Sequence, residues 1–340
     1  FGIIFNCNWG NSSKYIRSKN FLTIFNMGSK LLITGGLGYI GSFTARKFQK
    51  INKFKAISID NLSRGNKFSE KFSKNIRLNI LNNKIKKIIQ KNEISTVFHL
   101  ASLTCVRESL KKTKEYYKSY QSQIKFIKNL KDAKIKYFIF SSSLSIFEKN
   151  KYKSNLSPYS KYKLMIEKYL KEIASPNFRV IILRYPNIIG SSKDGKLGEK
   201  NTFISRIVPS FYKNIIKKRN NTIFYDFYKK SYPKRNYMHV EDISDINVKI
   251  IKNLKKFKKN YHIFNINNQK QYSNINVLKA ISKIMKKKAK YSLKQIDKKE
   301  SMSQYYKSKD NLAEYINLNI KYKNLEKILK TNIKWFKKIY

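Results

Sequence analysis

The stretch Ile33-Thr34-Gly35-Gly36-Leu37-Gly38-Tyr39-Ile40-Gly41 constrains the fold of this chain more than any other. An apolar run, Leu31-Leu32-Ile33, leads into glycines three residues apart, Gly35, Gly38 and Gly41, and an apolar-periodic segment follows from Ile40. The pattern predicts strand, tight turn, helix. Glycine is required because the turn needs φ > 0, the backbone must come close to an anion, and the helix must pack tightly on its strand. The N–H groups and dipole of that helix would then face a pyrophosphate.

A glycine pattern alone is weak evidence, and a turn without a ligand is its bland reading. Context strengthens it: a second apolar run, Ala56-Ile57-Ser58-Ile59, ends in Asp60, 19 residues after Gly41. A dinucleotide-binding unit places there the carboxylate that accepts the ribose hydroxyls. An acid at that strand end would repel a 2′-phosphate, so NAD is favoured over NADP as the cofactor.

The 340 residues suffice for a large core. With 74 Lys+Arg against 20 Asp+Glu, the formal charge is +54, a field that attracts nucleic acid, anionic surfaces and anionic small molecules alike. The excess is spread along the chain as Lys, beside abundant Asn, Ile, Phe and Tyr, all with A/T-rich codons. Base composition is therefore the favoured cause, and nucleic acid is expected only through non-specific charge. Two cysteines, Cys7 and Cys105, imply no disulfide framework. The expected setting is cytoplasmic, with no membrane span, since no apolar run of about 18 residues occurs. Residues 1–26 lack an acid and read either as part of a basic targeting peptide or, the favoured reading, as sequence upstream of a true start at Met27; they are expected to stand outside the fold.

Further along, apolar runs at 75–78, 95–100, 136–140 and 178–184 alternate with helix-period segments at 84–91 and 115–131. Strands alternating with helices argue an α/β fold built on a doubly wound parallel sheet, Rossmann-like. Leu100 and Ala101 should end over the cofactor, because ligands bind outside the carboxyl ends of such strands. His99 reads as a packed strand-end residue, and no metal site is expected. A Gly/Ser/Lys/Asp-rich loop from Gly190 to Lys200 marks the expected boundary between an NAD-binding domain, 27–190, and a smaller α/β substrate lobe, 191–340. Trp335-Phe336 reads as helix packing.

Ser141-Ser142-Ser143 follow one strand, and Pro158-Tyr159-Ser160-Lys161-Tyr162-Lys163 opens the next helix, with Pro158 suited to its first turn. Tyr159 and Lys163 are four apart and share a helix face. A phenol with a reference pKa near 10 is a poor base, but an ammonium one turn away favours the phenolate, and the Ser143 hydroxyl can bond the substrate oxygen. In a chain with 24 Tyr such a pair also arises by chance.

Taken in order, Thr34 to Ser42, Asp60-Asn61-Leu62-Ser63, Phe138 to Ser143, Ser157 to Lys163, Leu183-Arg184-Tyr185-Pro186-Asn187 and Arg235 to Asp242 resemble the extended short-chain dehydrogenase/reductases, and among them the UDP-glucose 4-epimerases. The resemblance implies epimerisation of UDP-glucose and UDP-galactose at sugar C4 through a transient 4-keto sugar, a recycled NAD, and a homodimer whose helix pair includes 115–131. It implies that Ser143, Tyr159 and Lys163 are catalytic. It assigns cofactor contacts to Gly35, Gly38, Tyr39, Ile40, Gly41, Asp60, Asn61, Asn79, Ile80, Leu100, Ala101, Lys163 and Tyr185. Substrate contacts fall to Ser143, Tyr159, Asn187 and Arg235 (diphosphate), Thr222, Ile223 and Phe224 (uracil), and Tyr305, whose bulk would disfavour N-acetyl sugars.

The chain also departs from that pattern. Thr104 replaces a lysine, Asn79 an aspartate and Ser119 an asparagine; Phe147-Glu148 stand for a Tyr-Gly turn; 298–301 is degraded; and an asparagine expected near Arg206 is missing. The alternatives are another NAD-dependent nucleotide-sugar enzyme, a decarboxylase or dehydratase, and a non-catalytic protein of this fold that grips polyanions. A dehydratase wants an acid pair directly after the catalytic hydroxyl, where this chain has Leu144-Ser145. No aromatic-interleaved RNA motif supports the polyanion reading.

Overall fold

The computed structural model describes residues 30–51, 56–72, 75–148, 151–152, 154–199, 206–297 and 312–340, so residues 1–26, 298–301 and Tyr305 lie outside the description. The first half runs β1 (Lys30–Thr34), α1 (Tyr39–Gln49), β2 (Ala56–Asp60), β3 (Asn75–Arg77), α2 (Lys84–Lys91), β4 (Ile94–His99), α3 (Val106–Lys111), α4 (Thr113–Lys131) and β5 (Tyr137–Ser143). Two short strands, β6 (Phe147–Glu148) and β7 (Lys151–Tyr152), then precede α5 (Pro158–Ile173), β8 (Arg179–Tyr185) and β9 (Asn187–Ile189). The remainder is α6 (Ile207–Ile216), β10 (Asn221–Tyr225), β11 (Lys234–His239), α7 (Val240–Lys252), β12 (Tyr261–Asn265), β13 (Gln271–Ser273), α8 (Asn274–Met285), β14 (Tyr291–Gln295) and α9 (Leu325–Ile339).

Seven strands form one sheet in the order β3-β2-β1-β4-β5-β8-β12, every neighbouring pair parallel. Strands buried on both faces read as continuous apolar runs, and their alternation sorts them into two cores. Leu31, Ile33, Ile139, Ile181 and Leu183 face one, with Phe43 and Phe48 of α1 and Ile243 and Ile250 of α7. Leu32, Val97, Phe138, Phe140 and Ile182 face the other, with Ile89, Phe126 and Ile166 of α2, α4 and α5. The chain order reverses between β1 and β4, and a ligand crevice belongs outside the carboxyl ends of the strands at such a point.

A third core joins α6, α8 and α9 around Ile223 and Tyr237 and takes in Trp335 and Phe336. Segment 191–340 is not confined to this lobe: β12 completes the large sheet beside β8, and α7 packs on α1. Strand β14 pairs in parallel with β10 although all five of its residues are exposed. Among the described residues no helix is long and apolar enough to cross a membrane.

Three histidines sit inside this fold. His99 Nδ1 lies 2.7 Å from Thr34 Oγ1, and the His239 ring stacks on Tyr322 at 3.5 Å between centroids. Burial, helped by the Lys163 and Lys47 charges respectively, holds His99 and His239 near pKa 3, and burial holds His262 near 4. Between the ordinary value of about 6.5 and these values the unfolded chain binds protons that the folded chain excludes, so stability falls as pH falls through that window. The urea midpoint is expected to drop steadily between pH 6.5 and 4; a flat midpoint would contradict the burial of neutral imidazoles.

Candidate functional site

The glycine loop is built for close approach. Gly35 has φ +70°, and a Cβ there would sit 2.8 Å from the Ala101 amide nitrogen. A Cβ on Gly41 would lie 2.1 Å from the Gly35 carbonyl oxygen, within backbone that cannot swing aside. Thr34 fixes the neighbouring loop: its carbonyl accepts from Leu100 N at 3.1 Å and its Oγ1 from Ala101 N at 3.3 Å. Gly38 caps α1 without a side chain, and the first turn carries no acid, which leaves the positive end of the helix to an anion.

Asp60 ends β2 against this loop, its carboxylate accepting from Leu37 N at 3.0 Å and Leu62 N at 2.8 Å. Burial raises its pKa, and those amides oppose the shift. Asn61 and Asn79 spend their side-chain oxygens on local turns, accepting from Ser63 N and Leu81 N. The residues therefore fit a dinucleotide along the carboxyl edge of the sheet. Gly41→Ala should cost about 1–3 kcal/mol of stability through overpacking and abolish retention of nicotinamide dinucleotide. Calorimetry and the absorbance of the purified protein check this; retained cofactor would contradict the cradle.

Helix α5 begins cleanly, with Ser157 accepting from Ser160 N and Pro158 in the first turn. It delivers Tyr159, Lys163 and Glu167 along one face. Tyr159 stands beside Ser143, the last residue of β5, and its ring meets Tyr116 edge-on at 6.4 Å. Lys163 Nζ donates to the Ser141 carbonyl at 2.8 Å. Burial lowers its pKa to about 7, against the opposing charge of Glu167. Burial raises the Tyr159 pKa, and the groups that pull it back are the Ser143 hydrogen bond and the Arg206 charge. The sequence assigns that support to Lys163, which is not among these groups; Arg206 is.

Beneath this face Glu167 is buried between Arg184, whose Nη2 donates at 2.6 Å, and the Ser142 hydroxyl. Leu144 and Ser145, which follow Ser143, are committed to packing and to the Ser160 hydroxyl at 2.8 Å.

A cavity of about 600 Å³ joins these parts. Of the predicted cofactor residues, the three spaced glycines with Tyr39 and Ile40, then Asp60, Asn61, Asn79 and Ile80, then Leu100, Ala101, Lys163 and Tyr185 all line it. Ser143, Tyr159, Asn187 and Arg235 line it too. The Tyr185 hydroxyl itself is committed to Asn247 at 2.6 Å. Parallel pairing of β9 with β11 sets Asn187 opposite Tyr237, with Arg235 two residues before it on the same strand face.

The predicted uracil segment stands apart. Thr222 is exposed, Ile223 is fully buried in the third core, and none of Thr222, Ile223 and Phe224 lines the cavity. Phe224 sits behind the wall, where the Arg107 guanidinium lies 3.5 Å over its ring and its carbonyl accepts from Asn274 Nδ2 at 2.7 Å. Sequence reading missed Arg107, Arg206 and the bidentate Arg64–Glu108 pair at 2.8 and 3.0 Å, all on the cavity wall or behind it. Arg107 meets Phe224, Arg206 meets Thr104 and Arg64 meets Glu108 across long stretches of chain, and no local spacing announces them. Among the described residues no group of three His, Cys, Asp or Glu could hold a metal ion.

A doubly wound sheet with a phosphate cradle at its switch point and a Ser/Tyr/Lys set on the adjoining strand and helix defines a dinucleotide-dependent enzyme of the short-chain dehydrogenase/reductase type. The NAD dependent epimerase/dehydratase family model matches residues 31–267. The chain belongs to that family. It is 30% identical over 288 residues to a UDP-glucose 4-epimerase of Pasteurella multocida, a match covering 77% of this chain and 85% of that protein. Over 273 residues it is 29% identical to a UDP-glucose 4-epimerase of Lactobacillus helveticus, covering 75% and 81%. Among solved structures, UDP-glucose 4-epimerase from Bifidobacterium longum in complex with NAD+ and UDP superposes with a TM-score of 0.81 at 23% identity, covering 91% of this chain and 98% of that one. A UDP-glucose-4-epimerase from Stenotrophomonas maltophila with bound NAD and formylated UDP-arabinopyranose gives 0.81 at 19% identity, covering 92% and 98%.

Proposed function

We propose that the protein is an NAD-dependent UDP-sugar 4-epimerase that interconverts UDP-glucose and UDP-galactose in galactose metabolism. One observation carries this reading. Ser143, Tyr159 and Lys163 meet the glycine cradle and Asp60 in a single cavity, and the positions after Ser143 hold no acid pair that could expel a 6-hydroxyl.

NAD, when bound, supplies a hydride acceptor and then a hydride donor at the sugar carbon. The chain's own residues do the rest. The glycine loop and the start of α1 hold the pyrophosphate, and Asp60 accepts the adenosine ribose hydroxyls. Lys163 is placed to hold the nicotinamide ribose. The Tyr159 oxygen takes the proton of the sugar 4-hydroxyl while Ser143 bonds that oxygen, and the same proton returns when the 4-keto sugar has turned over. Asn187 and Arg235 hold the diphosphate, which lets the sugar swing about a fixed anchor. Tyr305, outside the described residues, is assigned the choice between plain and N-acetylated sugars.

The small lobe around the third core binds the substrate, and the large sheet binds the cofactor. A homodimer through α4 and α5 fits the aromatic patch on their outer face, where Tyr117, Tyr120 and Tyr162 stack with centroids 5.3 to 6.1 Å apart and Tyr117 is 46% exposed. A cytoplasmic setting belongs to the same reading, since two cysteines imply no disulfide framework. The test is to feed the purified protein UDP-galactose without added NAD. UDP-glucose formed without net NADH is the expected result; neither bound nicotinamide nor turnover would overturn the reading.

A further inference from the structure

Arg206 is the last residue before α6, so it belongs to the small lobe, yet it reaches across the cavity. Its Nη2 donates to Thr104 Oγ1 at 3.0 Å, in the loop after β4, and its Nε lies 3.3 Å from the Glu199 carboxylate. Thr104 precedes Cys105, whose amide donates to the Tyr116 hydroxyl at 2.9 Å, and the Tyr116 ring is the one that stands edge-on to Tyr159. Arg206, Thr104, Tyr39 and Tyr159 share the cavity wall. The guanidinium is thus tied at both ends on the wall that it shares with Tyr159.

We propose that Arg206 is a positioning residue for proton transfer at Tyr159, its guanidinium supplying the permanent positive charge that steadies the phenolate. This deepens the epimerase reading and rests on it for its meaning, though not for its test. An Arg suits the task because it stays charged at every working pH. Burial disfavours the charge on Lys163, lowering its pKa to about 7 against the support of Glu167.

The groups facing Tyr159 are few. Ser143 of β5 bonds it, Lys163 lies one turn along α5, Cys105 and Tyr116 flank it, and Glu108 stands behind the Tyr116 hydroxyl at 2.9 Å. Arg206 in turn faces Glu199 and Tyr39, the latter donating to the Gly190 carbonyl at 2.5 Å. Glu199 is the carboxylate that offsets the guanidinium, so its neutralisation should act in the opposite sense to loss of Arg206.

Ionisation of Tyr159 is read from tyrosinate absorbance as the difference between the protein and its Tyr159→Phe variant, in wild-type and substituted backgrounds. Arg206→Gln should move that titration up by about one pH unit, Arg206→Lys should leave it near wild type, and Glu199→Gln should move it down. For turnover of UDP-galactose, kcat of Arg206→Gln should fall about tenfold at pH 7 and recover as pH rises, with KM little changed. A titration unmoved by Arg206→Gln overturns the proposal even if epimerisation is confirmed. So does a loss lying wholly in KM, which would make Arg206 a holder of the substrate diphosphate. Absent wild-type turnover would sink the epimerase reading alone, since the titration stands without it.

Discussion

Tyr159→Phe is expected to lower kcat for UDP-galactose by about a thousandfold while the purified protein keeps its nicotinamide absorbance. The size follows from removing a positioned acid–base group, an effect of roughly 10² to 10⁴. The specificity follows from the site. Phe preserves the ring that meets Tyr116 edge-on, and it leaves the glycine cradle, Asp60 and the Lys163 bond to Ser141 untouched. Lys163→Ala should differ in kind. On the proposed reading it removes the amine that holds the nicotinamide ribose, so the cofactor should loosen as turnover falls. Rates unchanged in either variant would remove the pair from the chemistry.

Glu167→Ala should destabilise the fold by about 3–5 kcal/mol, the range for breaking a buried ion pair from one side. Arg184 and Glu167 are 6% and 3% exposed at their side chains, so the guanidinium would be left without its counter-charge beneath β5 and β8. The Ser142 hydroxyl would lose its acceptor as well. Replacing both partners with apolar residues of similar volume, Glu167→Leu with Arg184→Met, should recover much of the loss, because neither charge then needs solvation. Urea unfolding of the two single variants and the double variant reads this directly. A double variant as unstable as the sum of the singles would mean that the pair is not coupled.

The parts of this protein legible in its sequence are those set by local spacing. Gly35, Gly38 and Gly41 announce a turn because only glycine meets the φ and close-contact demands there, and the structure finds both. Tyr159 and Lys163 announce a helix face because four residues is one turn. The continuous apolar runs Leu31-Leu32-Ile33 and Tyr137 to Phe140 announce strands buried on both sides, and in the structure their residues alternate between the two cores. Strand β14 was illegible, since its five exposed residues carry no buried apolar pattern and are held to β10 and the residues flanking it by backbone pairing and by polar side chains. The return of β12 to the large sheet was illegible as well, for nothing in 261–265 says which sheet it joins.

The long-range polar contacts were hidden for another reason. Arg206 meets Thr104 across 102 positions and Arg64 meets Glu108 across 44. In a chain of 74 basic residues no single Arg stands out. Thr104 read alone as a lost lysine; in the fold it is the acceptor that anchors a different cation over the site.

The most direct test of the chemistry is to supply UDP-galactose carrying deuterium at sugar C4 and follow the label into UDP-glucose by mass spectrometry and proton NMR. A cavity that holds one sugar over one recycled cofactor returns the abstracted hydride to the same carbon, so full retention of deuterium at C4 is the expected result. Product in which C4 carries hydrogen from solvent, or label accumulating on free nicotinamide cofactor, would contradict hydride return within a closed site.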